Sequence, residues 1–370
     1  MSLPVGRIAQ SSLLLAAFSL SACQPAAPVI PPGISAGAGT IQATPKPADA
    51  ASPATGAAGA PPKSYLYVMN GLAKTIDEID LQAGTVNKSV LPTGLYPNQL
   101  VSIGSLAWMV NSGDATIDGL DLRGHRKVGT INLATGANPM TLAPVSAHEG
   151  IVVNYLAKNV AFVNLDTLGP ETTVSLPQGQ PGGGLAIANG KAYVAATTAD
   201  YSKYPAISYS FSGIYVIDLT TRALKSTITL DATANPVPVV TDPAGNIEVG
   251  DSQGVLTIDA TSDQVIRIMN LGTPVNSIAF ASSSVAYGAA LGNGVLSYNP
   301  STGAVLRDAS HPLRVGDSSV GNLKVFGNKL YVPNFSQDTI TSVDLATEAT
   351  KSSYVVGHGP QELCFVTVPQ

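Results

Sequence analysis

Leu330-Tyr331-Val332-Pro333-Asn334, followed by Thr339-Ile340-Thr341-Ser342-Val343-Asp344-Leu345, is the stretch from which the architecture of this 370-residue chain is read. Two short β-rich runs flank a polar turn, and the second run stops on a short polar residue, Asp or Asn. Such a stop recurs seven times, at Asp80, Asp121, Asn164, Asp218, Asp259, Asn299 and Asp344. The steps are about 41, 43, 54, 41, 40 and 45 residues, a spacing that signals solenoids, propellers or arrays. A short acceptor at a strand end can bond a backbone N–H two residues on. The seven residues are therefore expected to punctuate turns rather than to form a carboxylate array.

Aligned on that residue, each repeat reads as four strands. One β-rich run precedes the run that ends on the mark, as at Leu66-Tyr67-Val68, and a third follows it, as at Val265-Ile266-Arg267-Ile268. A Pro-containing loop leads to the fourth, seen at Asn98 to Ser102, Met140 to Ala143 and Asn276 to Phe280. Period-two alternation with turn clusters between the runs is the signature of strands. With the strands called A to D from the channel outward, the folded part begins near Ser64 as a B strand and ends near Leu363 to Val368 as an A strand. The expected fold is all-β: a seven-bladed β-propeller of four-stranded antiparallel blades, closed by the C-terminal strand pairing into the first blade.

The phrases Tyr67-Val68-Met69-Asn70, Tyr331-Val332-Pro333-Asn334 and Gly357-His358-Gly359-Pro360 resemble the YVTN β-propeller repeat family. Blade-like units cover nearly everything from Ser64 to Gln370. Members of that family are mostly extracytoplasmic propellers, so the resemblance implies a fold and an exported setting more than an activity.

The N-terminus agrees with export. Arg7 and the apolar stretch Leu13 to Leu20 form a signal-peptide pattern too short to span a bilayer. Leu20-Ser21-Ala22-Cys23 resembles the lipobox of bacterial lipoproteins, which implies cleavage before Cys23 and lipid attachment to it. Gln24 after the Cys resembles outer-membrane sorting in diderm bacteria. Acyl chains contribute about 0.8 kcal/mol per buried CH₂, so several of them anchor a protein firmly. Residues 1–22 are thus expected to be a lipoprotein signal peptide, and 64–370 the propeller. Between them, 23–63 carry the lipidated Cys and a linker of Ala, Pro, Gly, Ser and Thr that cannot offset its ordering entropy.

Other chemistry is thinly represented. Charged residues make up 12% and the net charge is −5, so there is no basic stripe for nucleic acid. Gly33-Ile34-Ser35-Ala36-Gly37 matches the serine-hydrolase pattern G-x-S-x-G, but a Pro-rich linker provides neither the strand-to-helix elbow nor the oxyanion hole. His125, His148, His311 and His358 lack metal-pair spacing, and the Gly clusters 182–184 and 292–294 open strands rather than helices. No cofactor or metal is implied. Cys364, on the expected closing strand, reads as a small core residue.

Two departures from the repeat suggest where a ligand binds. Between its B and C strands the fourth repeat has about a dozen extra residues, containing Tyr201, Tyr204, Tyr209 and Phe211, and tyrosines are favoured in recognition surfaces. The sixth repeat is extended from Asp308 to Asn322. In a propeller both extensions emerge at one end, where the A strands begin and place Asn98, Thr141, Asn276, Asn322 and Glu362 at the channel mouth. The expected function is a lipid-anchored envelope module that binds or scaffolds a protein, a polysaccharide or a small molecule. The alternative is a propeller enzyme, a lactonase-like hydrolase, lyase or dehydrogenase with its site at that mouth. Purely structural assembly in the envelope is a third reading.

Overall fold

The computed structural model describes residues 62–202, 206–290, 292–316 and 321–369. The signal peptide, Cys23, the linker through residue 61 and Tyr204 lie outside the described residues. The chain forms seven sheets of four antiparallel strands, and the A strands of successive blades lie side by side. The ring is a seven-bladed β-propeller. Pro360–Val368 is the A strand of the first blade and pairs with Lys63–Asn70, from Lys63 opposite Val368 to Asn70 opposite Pro360. The two ends of the domain thus pair with each other, as the sequence predicts.

B strands depart from strict alternation. Leu66, Tyr67, Val68 and Met69 in succession are fully buried, because a neighbouring blade covers each face of the sheet and a strand wet on neither side has no polar positions to alternate. D strands, on the outer edge, are largely exposed, and one of them, Ala223–Thr229, is exposed at every second residue. The apolar side chains group into seven clusters, each shared by two adjacent blades. A fully buried Leu, Ile, Val or Met contributes about 1.5–3 kcal/mol relative to exposure. Cys364 is buried in the cluster between blades one and two, with its Sγ 2.9 Å from Ser102 Oγ.

The seven Asp and Asn residues cap the C-to-D turns. In blade four Asp218 Oδ1 accepts from the backbone N–H groups of Thr220 and Thr221, at 3.0 and 2.7 Å. In blade six Asn299 Oδ1 does the same with Ser301 and Thr302, at 3.0 Å each. Four residues after each mark the chain turns left-handed, at Gly84, His125, Leu168, Arg222, Asp263, Gly303 and Glu348, with φ between 49° and 78°. Several of these side chains reach back to the preceding blade. Arg222 pairs with Glu149 and Glu171, Asp263 with Lys191 and Lys225, Glu348 with Arg307, and His125 with Glu78. The turn is a latch as well as a reversal, a role hidden from sequence inspection because the latching residue has no fixed type.

Candidate binding face

At the end of the ring that carries the B-to-C and D-to-A turns, the A strands begin one after another with polar side chains, and these are joined across the blade boundaries. The Gln361 amide donates to the Pro97 carbonyl at 2.5 Å. Asn98 Nδ2 donates to the Pro139 carbonyl at 3.0 Å, and Thr141 Oγ1 to the Gly183 carbonyl. Ser277 Oγ accepts from the Leu323 N–H at 3.1 Å. Asn322 Nδ2 donates to Glu362 Oε2 at 2.5 Å, which links blade seven to blade one. On the same carboxylate Oε1 lies 3.6 Å from Lys324 Nζ, and both side chains are at most 5% exposed. Removing one partner of such a buried pair is strongly destabilising, because it strands the other charge.

The structure thus brings Asn98, Thr141, Asn322 and Glu362 together around the mouth, buried, with polar contacts between neighbouring blades. Asn276 is half-buried, and its N–H donates to the Ala289 carbonyl at 2.8 Å. Gly184 reports how tightly this end is packed: an added Cβ would sit 2.2 Å from the Val237 carbonyl oxygen as the chain enters blade five.

The extra residues of blade four form a ladder rather than a loop. Its B and C strands, Lys191–Asp200 and Ser208–Asp218, run on past the blade and pair Thr197 with Ser212, Thr198 with Phe211, Ala199 with Tyr209 and Asp200 with Ser208. Tyr209 and Phe211 are two residues apart and would share a face, but the register shifts between Thr198 and Ala199, and this irregularity splits the aromatics. Phe211 turns inward, 8% exposed and 6.0 Å from the Tyr215 ring. Tyr209 is half-buried and Tyr201 is 50% exposed at the tip. Burial raises the phenol pKa of Tyr209, and that of Tyr155 on the B-to-C turn of blade three; Tyr201 is the second influence on both. Tyr155 therefore joins Tyr201 and Tyr209 in one cluster. Sequence reasoning missed it because its neighbours belong to the next blade.

The cluster is one end of a longer feature. Leu72 and Leu156 on B-to-C turns, Leu95 and Tyr96 on a D-to-A turn, and Tyr201 and Ile207 at the hairpin tip are large apolar residues exposed by 37–56%. All six sit at this end of the ring, on the first four blades. The remaining exposed large hydrophobics of the described residues lie on D strands. Blade five presents the polar turn Asp251-Ser252-Gln253 at the same level.

No family model matches the chain, and no curated protein matches it in sequence. Solved structures do resemble it. The structure of apo AztD from Citrobacter koseri is 14% identical with a TM-score of 0.55, over 83% of this chain and 99% of that one. A further crystal structure of Citrobacter koseri AztD gives 13% and 0.55, over 83% and 98%. The computationally designed Ika8 protein gives 12% and 0.58, over 82% and 90%. At these identities the likeness is one of fold.

Proposed function

We propose that this chain is a lipid-anchored binding module of the bacterial cell envelope. In this reading Cys23 tethers it through the 23–63 linker, and the partner docks on the apolar arc of blades one to four. One observation carries the proposal: among the described residues, every large apolar side chain exposed on a turn lies at one end of the ring and on four consecutive blades. Exposed apolar residues gathered on one face are the kind of surface that partners cover. Tyrosine adds contact area with a polar tip at low entropic cost. The lipobox-like Leu20 to Cys23 supports the tether, and the YVTN-like phrases support an extracytoplasmic setting. Tyr201 and Tyr209 are the proposed contact residues at the rim.

The test is site-specific photocrosslinking in native envelopes. Crosslinkers replace Leu95, Leu156 or Ile207 on the arc, and Gln82 or Thr220 on the opposite end. A single partner band from the arc positions and none from the opposite end is expected. Equal labelling from both ends, or none from the arc, overturns the reading.

A further inference from the structure

Blade six lacks most of its outer wall. Its D strand, Val305–Arg307, has three residues and pairs with the C strand at only two positions, Ser297 with Arg307 and Tyr298 with Val305. The D strands of the other blades have six to eight residues. A cleft of about 740 Å³ lies between blades six and seven, at the end of the ring opposite the apolar arc. Small-molecule sites span about 300–1,000 Å³.

Four hydroxyl-bearing side chains line this cleft; Ser282 and Thr347 are bonded within their own turns, to Ser284 and Asp344, which leaves Tyr287 and Ser297. Tyr287 and Ser297 are cross-strand partners, 3% and 2% exposed. Neither makes a side-chain hydrogen bond among the described residues, and neither oxygen is among the fully buried atoms left without a partner, so both hydroxyls open to the cleft. Tyrosines on the B strands of blades one and four are satisfied: Tyr67 donates to Glu78 at 2.5 Å and Tyr193 to Asp263 at 2.6 Å. Asp263 is the left-handed residue of the next blade's turn, and the counterpart beside Tyr287 is Glu348. Arg307 takes that carboxylate, with Nε 3.0 Å from Oε2 and Nη2 bonded to the same oxygen. The tyrosine keeps its site but loses its acceptor.

The wall therefore offers two uncommitted hydroxyls and an ion pair whose charges cancel, edged by Val285 and Leu306. A charged ligand would have to break the pair. A neutral one can donate and accept along the hydroxyls while resting an apolar face on the edge. We propose that this cleft binds a neutral polyhydroxylated ligand of one or two sugar rings, with Tyr287 and Ser297 as its hydrogen-bonding floor. The site is independent of the partner face across the ring.

Ligand-observed NMR on the full propeller tests this with glucose, galactose, N-acetylglucosamine, maltose and myo-inositol, and with glucuronate as the charged control. At least one neutral probe should bind saturably, with Tyr287→Phe and Ser297→Ala each weakening it about tenfold. Tyr201→Ala, on the other end, should leave the affinity unchanged. Lack of saturable binding by all five neutral probes overturns the proposal. So does binding that survives Tyr287→Phe undiminished, or a preference for glucuronate over glucose.

Discussion

Blades four and six are the same unit altered in opposite directions. Blade four extends its B and C strands to 10 and 11 residues; blade six has 5 and 5, with a D strand of 3. Neither change disturbs the ring, since both lie away from the A strands and leave an apolar cluster on each flank of the blade. A propeller tolerates growth at the tip of a hairpin, where new strand pairs with itself. It tolerates loss at the D edge, where strands already face water. Addition yields a crest of tyrosines and subtraction a cleft, so two irregularities of one repeat present different chemistry at opposite ends of the domain.

The comparison breaks if the irregular parts turn out to hold the fold. Deleting 360–370 removes the A strand that joins the two chain ends and exposes an unpaired edge. That chain is expected to lose its cooperative melting transition altogether, followed by far-UV circular dichroism. Deleting 200–208 and joining Ala199 to Tyr209 through a two-residue Asn-Gly turn should leave the transition sharp and within a few degrees. A sharp melt for the first deletion, or collapse in the second, would place stability in the wrong part of the molecule.

Acid and base separate the two sides of the ring next. Between blades four and five, burial alone would raise Asp263, but hydrogen bonds from Lys191, Tyr193 and Lys225 outweigh it and hold the carboxyl below its usual range. Its contribution is present above the unfolded pKa and fades as pH falls through the folded value. Between blades five and six the sign reverses. Burial pushes Glu248 up to about 7, against opposing hydrogen bonds from Thr257 and Tyr298. Below its unfolded value near 4.5 both states are protonated and there is no penalty. As pH rises from there toward 7, the unfolded chain ionises first and stability drops, by about 3 kcal/mol once the folded carboxyl has ionised too. Glu248→Gln should remove this fall between pH 5 and 8 and raise stability at pH 8, measured by urea unfolding. An unchanged profile would show that Glu248 is not the group.

Much of the ring was legible because turn chemistry repeats. An acceptor at the strand end, needed to bond two successive N–H groups, leaves an Asp or Asn in every repeat, and those seven marks give the blade count. The starts of the A strands were legible for a similar reason, since Pro precedes each of Asn98, Met140, Val239 and Gln361. What their side chains do was not, because Asn98 and Glu362 find their partners some 40 residues away on another blade. The tyrosines of blade four were legible as an excess of aromatics. Their sorting into inward Phe211 and outward Tyr201 needed the strand register. The cleft left almost no sequence signal, for it is made by strand that is missing.

The smallest effect asks whether the punctuation is equivalent in the two irregular blades. Asn299 belongs to the truncated blade and Asp218 to the extended one, yet each accepts two backbone N–H groups in the same turn. Asn299→Ala leaves those donors to water and should cost about 1 kcal/mol by urea unfolding. Asp218→Ala should shift stability in the same direction. Asn299→Asp, which keeps the accepting oxygen, should restore most of the loss. That rescue assigns the effect to the turn bond rather than to packing, and its failure would mean that blade six holds its turn by other contacts. If alanine were harmless in blade six but costly in blade four, the shortened blade would have given up its latch along with its wall, and the cleft beside Glu348 would be a flexible feature instead of a built one.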